Sequence, residues 1–260
     1  LERLKLAVRP YERIQGSTEI LFAKWLERCT ALLDNFTMRK YKQVIRGIVA
    51  DFETFETVNE RKPRIGIVGE ILVKFHPYAN NEIIRTIEAE GGEAVVPDLI
   101  DFFLYSLYNQ EYKANHLGQP KIKSRLANIG IRLIEVFREP VRQALLESNR
   151  FEAPLTIDEV AEKASRFINL GNQMGEGWLL TGEIAELMDA GVDNVVCVQP
   201  FGCLPNHVIA RGMFNAIKQF YPYANLIAID FDASISKVNQ INRIKLMISI
   251  AKNGMVQRNV

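Results

Sequence analysis

The 260-residue sequence is short of several things that would identify it at once. It has no apolar run approaching the roughly 18 residues of a membrane-spanning helix, so no membrane span is expected. Only three cysteines occur (Cys29, Cys197 and Cys203), an odd number with no CxxC, which excludes a disulfide framework and points to a reducing cytoplasm. The three histidines form no HExxH and no paired spacing, which argues against a zinc site. Charge of one sign is missing too: 32 Lys+Arg stand against 31 Asp+Glu, which argues against a dedicated nucleic-acid binder. The opening Leu1-Glu2-Arg3-Leu4-Lys5 carries neither an initiator Met nor a signal-peptide core, and reads as a piece cut from a longer protein.

What is present is ample material for a packed interior, with 48% of residues hydrophobic, enough for one large domain or two small ones. Residues 1–60 read as a helical segment continuing from a missing upstream region. Leu21, Trp25 and Cys29 recur at helical spacing, with Leu32 and Leu33 extending the face. The polar Asn59-Glu60-Arg61-Lys62-Pro63 marks a boundary, and 61–260 reads as an α/β domain. Arg64 to Gly69 is a short buried strand. Asn80 or Asn81 caps a helix over 82–90, Gly91-Gly92 stops it, and 93–97 forms a second strand, which together make a parallel β-α-β unit. No strand is expected over about 98–190, a large helical insertion. It holds an aromatic helix around Phe102 to Tyr108, a long helix over 121–148 broken or kinked near Pro140, a Thr156/Glu159 capping box, and a helix over 178–189. Alternation then resumes with a strand at 194–198, a helix over 206–220, a strand at 225–230, and a last helix over 236–252 facing the core with Val238, Ile241, Met247 and Ile248. The predicted fold is a four-stranded parallel, flavodoxin-like or Rossmann-like sheet.

Ligands of such sheets bind beyond the carboxyl ends of the strands, so four loops should meet on one edge: 70–81, 97–101, 199–207 and 230–242. The third, Cys197-Val-Gln-Pro-Phe-Gly-Cys203-Leu-Pro-Asn-His207, is the most informative. Cys203 precedes a helix start, where the dipole favours a thiolate able to act as nucleophile or soft-metal ligand. Filling a small apolar space explains it equally well. Cys197 lies within a strand and is the weaker ligand candidate, and Cys29 reads as core. His207 can act as acid, base or donor, or be an ordinary helix-start residue. Glu70 and His76 are polar candidates in the first loop, with helix capping or surface pairing as the alternative. Gly175-Glu176-Gly177-Trp178 offers either an anion cradle or simple turn chemistry. Asp230 and Asp232 can hold a cation or cap a helix, and Asn239 and Asn242 share a face of the last helix.

Taken together, Lys62-Pro-Arg-Ile-Gly-Ile-Val-Gly-Glu-Ile71, Pro77-Tyr-Ala-Asn-Asn81, Gly175-Glu-Gly-Trp178, the 197–207 loop, Ile229-Asp-Phe-Asp232 and Asn239-Gln-Ile-Asn-Arg-Ile-Lys-Leu-Met247 resemble the activator-related proteins of the 2-hydroxyacyl-CoA dehydratase system. The resemblance runs over about 62–250 and is to their C-terminal part, which is similar to the cluster-bearing dehydratase subunits and the double-cubane-cluster proteins. It implies oxygen-sensitive iron–sulfur chemistry, low-potential electron transfer or acyl-CoA dehydration. The partners it implies are an ATP-dependent activase domain or subunit, an acyl-CoA and a homodimer mate. It further implies Cys203, and less strongly Cys197, as metal ligands, with Glu70, Gln199, Asn206, His207 and Asn239 as surrounding catalytic or binding residues. The activator's own nucleotide-binding fold and CxxC cluster site are not visible, so ATPase activity does not carry over. A cubane takes three or four thiolates, so the remaining ligands would come from elsewhere. The competing readings are a non-catalytic docking module, using the Phe102–Tyr108 helix and the N-terminal helices, and a metal-free CoA-binding domain.

Overall fold

The computed structural model describes residues 1–232 and 234–258. Its helices and strands are α1 (Glu2–Val8), α2 (Ser17–Asp34), α3 (Met38–Glu53), β1 (Arg64–Gly69), α4 (Ile71–Phe75), α5 (Ile83–Ala89), β2 (Glu93–Val95), α6 (Ile100–His116), α7 (Lys121–Leu146), α8 (Ile157–Ser165), α9 (Trp178–Asp189), β3 (Asn194–Gln199), α10 (Phe214–Phe220), β4 (Asn225–Asp230) and α11 (Lys237–Arg258). They fall into two compact units. One takes 1–61 together with 129–154, and the other takes 62–128 and 155–260.

The first unit is helical. Leu4 and Val8 of α1, Trp25 of α2, Ile48, Val49 and Phe52 of α3, and Ala144 and Leu145 of α7 form its core. Trp25 also donates its indole N–H to Asp51 Oδ2 at 3.0 Å, so the buried ring keeps its polar atom satisfied. Cys29 packs at the edge of this core, while Leu33 is exposed, so the apolar face of α2 ends a turn earlier than the spacing predicts.

α7 is not broken at Pro140, where the sequence predicts a break or a kink. Proline removes one helical hydrogen bond and crowds the preceding turn. The turn that follows places Ala144 and Leu145 in the core, and this burial holds the helix on its course.

The second unit is built on a four-stranded, all-parallel sheet in the order β2-β1-β3-β4. Alternation along β3 shows why it is covered on both sides. Val196 and Val198 pack with Ile65, Ile67, Ile83, Ile87, Ile244, Met247 and Ile248, whereas Val195 and Cys197 pack with Leu180, Ile184, Leu187, Ala210 and Ile217. Helices α4, α5 and α11 thus cover one face, and α9 with the segment around Ala210–Ile217 covers the other. On α11 the inward row is Gln240, Ile244, Met247, Ile248 and Ala251; Val238 is exposed, one position off the predicted face.

The helix predicted over 206–220 is subdivided. Asn206–Ala210 forms a π-turn, Arg211–Met213 a tighter 3₁₀ turn, and only Phe214–Phe220 is regular α-helix. Thr181 donates its hydroxyl to Ile209 O at 2.6 Å and pins this widened turn against α9.

Candidate functional site

Because all four strands run parallel, their carboxyl ends share one edge. From β1 the chain steps to β2 on one side and later to β3 on the other, so the crevice lies between the ends of β1 and β3. The two strand ends close on each other here. Gly69 adopts φ +143°, and a Cβ on it would fall 1.9 Å from the carbonyl oxygen of Val198. Glu70 N donates to that same oxygen at 3.0 Å.

Around the end of β3 the predicted residues form one connected network. Asn206 is wholly buried and joins two cysteines: its Oδ1 accepts from the Cys197 thiol at 3.4 Å, and its Nδ2 donates to Cys203 Sγ at 3.1 Å. In this orientation the amide bonds both sulfurs at once. Gln199, also wholly buried, donates through Nε2 to Asp230 Oδ1 at 2.7 Å and reaches the His207 ring at 3.3 Å. His207 Nδ1 lies 2.9 Å from the Cys203 carbonyl, which can only accept, so Nδ1 carries the proton and Nε2 is left to accept from Gln199. The backbone adds His207 N donating to Cys203 O at 3.0 Å.

The two thiols of this loop differ in kind. Cys197 is completely enclosed, and burial, reinforced by the negative charge of Glu183, pushes its thiol far up, so it stays a neutral S–H donor. Cys203 is partly exposed just before the π-turn, with Asn206 beneath its sulfur. Only Cys203 can meet a partner from solvent without the core opening.

Beneath the crevice lies a charged pair that sequence reading misses. Lys74 Nζ sits 2.7 and 2.9 Å from the two carboxylate oxygens of Glu183, with both side chains almost fully buried. Burial pushes Glu183 up and the Lys74 ammonium opposes it. The available signal was a single charge inside each of two apolar stretches, Ile71-Leu-Val-Lys74-Phe and Trp178-Leu-Leu-Thr-Gly-Glu183-Ile.

Glu70 caps α4, its carboxylate accepting from Val73 N at 2.8 Å, and His76 is exposed at the other end of that helix. Glu176 is buried and accepts from Ile71 N at 3.1 Å. The amides of 177–180 donate within their own turn, to Met174, Asn172, Glu176 and Gly177, so turn chemistry uses the amides of Gly177 and Trp178. Gly177 is required there: at φ +46°, a Cβ would fall 2.2 Å from Asn172 O. Trp178 follows, donating to Asn109 Oδ1 at 2.8 Å with Tyr105 and Tyr108 edge-on to its ring.

Of the two asparagines before α5, Asn80 is the cap, its Oδ1 accepting from Ile83 N at 3.2 Å. Asn81 instead reaches Gln240 Oε1 at 2.9 Å, and Gln240 in turn donates to Asp230 O. Asn239 and Asn242 are exposed and stand apart from the cysteine network. With Ile229, Asp230, Ile235 and Arg243 they line a cleft of about 480 Å³ between the end of β4 and α11, which touches the network only through Asp230. Asp232 accepts from Ser234 N at 2.8 Å, an ordinary turn.

No group of three or more His, Cys, Asp or Glu side chains that could hold a metal is formed among the described residues. Of the two thiols in this loop, Cys197 is enclosed and neutral and Cys203 is partly exposed, so the loop by itself supplies at most one of the three or four thiolates an iron–sulfur cluster takes. No helix among the described residues is long and apolar enough to cross a membrane. Compared with protein-family models, curated proteins and solved structures, the chain gives no significant match.

Proposed function

We propose that this chain is the α/β portion of an iron–sulfur protein related to the 2-hydroxyacyl-CoA dehydratase system, and that it contributes one ligand, Cys203, to a cluster whose other ligands lie outside these 260 residues. The observation that carries this reading is the Asn206 Nδ2 contact to Cys203 Sγ: a fully buried amide fixed on one side by Cys197 and donating on the other to a sulfur at the rim of the crevice. Amide N–H donors to ligating sulfurs are among the means by which proteins tune such clusters. In this reading Cys197 is a positioning residue for Asn206, and Gln199 and His207 hold the loop that presents Cys203. Glu70 caps α4 beside them, and the low-potential electron transfer or acyl-CoA dehydration belongs to the larger assembly, which includes an ATP-dependent activase.

The test is anaerobic reconstitution of the protein, together with its neighbouring domains or subunits, with iron and sulfide. Cys203→Ala should lower the iron and acid-labile sulfide content, while Cys197→Ala should leave a cluster with an altered spectrum. Unchanged cluster content after Cys203→Ala removes the proposal.

A second reading rests on the cleft lined by Asn239, Asn242 and Arg243. It makes the chain a metal-free binding domain, for an acyl-CoA or another small ligand. Binding of CoA that is lost in Arg243→Ala, yet indifferent to iron and to Cys203→Ala, would select it.

A further inference from the structure

Along α7, Ile122, Leu126, Ile129, Leu133 and Val136 follow one another at intervals of four, three, four and three residues, and each is 54–62% exposed. A strict alternation of this kind is the seam of a coiled coil, and it specifies the shape of what covers it: another α-helix laid alongside. Five large aliphatic side chains on one continuous helix, all left in water, are unusual for an amphipathic helix, whose apolar face is normally the buried one. Ala127, Arg138, Ala144 and Leu145 already occupy the inward side of α7, so the exposed row is a second face.

We infer that α7 pairs with the α7 of a second copy of this chain, antiparallel. The flanking charges select both the occupant and its direction. Lys121, Lys123 and Arg125 are all exposed at the start of the helix, so a parallel pair would set this basic turn against itself. With Leu126 and Leu133 at the a positions and Ile129 and Val136 at d, an antiparallel pair layers Leu126 against Val136 of the second copy and Ile129 against its Leu133. The same register sets Arg125 against Glu139 of the second copy, twice by symmetry. Gly130 falls near the two-fold axis, where a missing side chain lets the helices approach. One like-charge contact remains, Arg132 against its own counterpart, at the solvent edge of the seam. The five side chains offer on the order of 500 Å² per copy, so a pair covers on the order of 1,000 Å², the lower bound of a stable interface. A reversible dimer is the expected result.

The test is light scattering coupled to gel filtration across a dilution series of the chain. The unmodified protein should pass from dimer to monomer on dilution, and Leu133→Glu should be monomeric throughout, with an unfolding curve that matches the unmodified protein's at dilutions where both are monomeric, since Leu133 is already exposed. Arg125→Glu alone and Glu139→Arg alone should each weaken the dimer roughly tenfold, and the double variant should restore it. A monomer at every concentration overturns the inference, as does a dimer that survives Leu133→Glu. A double variant no tighter than the singles overturns the antiparallel arrangement.

Discussion

Nδ2 of Asn206 lies 3.1 Å from Cys203 Sγ, donating to a partly exposed sulfur from a side chain that is itself wholly out of water. An acid in its place would lose this donation and put a carboxylate into the same buried region as Glu183 and Glu176. Asn206→Asp should therefore destabilise the protein by about 3 kcal/mol or more at neutral pH. The new carboxyl would be raised in the folded state, so its neutral form is the one the fold tolerates. The deficit relative to the unmodified protein should shrink as pH falls and grow as pH rises through that raised value. Urea unfolding at mildly acidic and mildly alkaline pH checks this; equal deficits at both would contradict it.

The pair Lys74–Glu183 should behave as a unit. Removing one partner, as in Lys74→Met or Glu183→Leu, strands the other in a dry site and should cost about 3–5 kcal/mol, whereas Lys74→Met with Glu183→Leu should recover much of the loss. Chemical denaturation of the two singles and the double completes the cycle, and additive losses would mean the two groups are not coupled.

Gly69→Ala tests the close approach of β1 and β3. With the Cβ driven to within 1.9 Å of Val198 O, no rotamer can relieve the clash, and the strand ends must separate. The expected outcome is a protein that loses cooperative unfolding or at least about 3 kcal/mol of stability. A soluble variant of unchanged midpoint would show that the crevice is looser than described.

Asp189 gathers Lys163, Arg166 and the Tyr221 hydroxyl at the end of α9. Burial alone would raise its carboxyl, but the hydrogen bonds from Lys163 and Tyr221 and the two cations hold it below the usual carboxylate range. A lowered carboxyl contributes stability above its unfolded value and loses it as pH falls through the folded one. Asp189→Asn should therefore cost about 1 kcal/mol at neutral pH, and the two unfolding curves should converge below the ordinary range of aspartate. A constant difference down to strongly acidic pH would contradict the assignment.

Much of this architecture can be read from local pattern. The runs at Arg64–Gly69, Asn194–Gln199 and Asn225–Asp230 are short, branched and bounded by Gly, Pro or Asn, and a fully covered parallel sheet requires that composition. The cysteine loop is legible as a place, because parallel strands leave their loops on one edge. It is not legible as a network, since Asn206 and Gln199 take their meaning from Asp230 and from which thiol is enclosed. Lys74 and Glu183 escape notice because they are separated by 109 positions, and each looks like a routine helix charge until burial is known. At Pro140 local propensity predicts a break or a kink, and the packing of Ala144 and Leu145 keeps the helix from breaking. The glycine-punctuated turn at 175–178 leaves cradle and turn chemistry equally open in the sequence, and the fold uses the amides of Gly177 and Trp178 internally.

Two thiols of one loop differ in access, Cys203 partly exposed and Cys197 enclosed, and the proposed ligand role of Cys203 depends on that difference. Peptide-resolved alkylation of the native, reduced protein by iodoacetamide measures it directly. Cys203 should be modified while Cys197 remains untouched until denaturant unfolds the sheet; protection of Cys203, or modification of both at one rate, would contradict it.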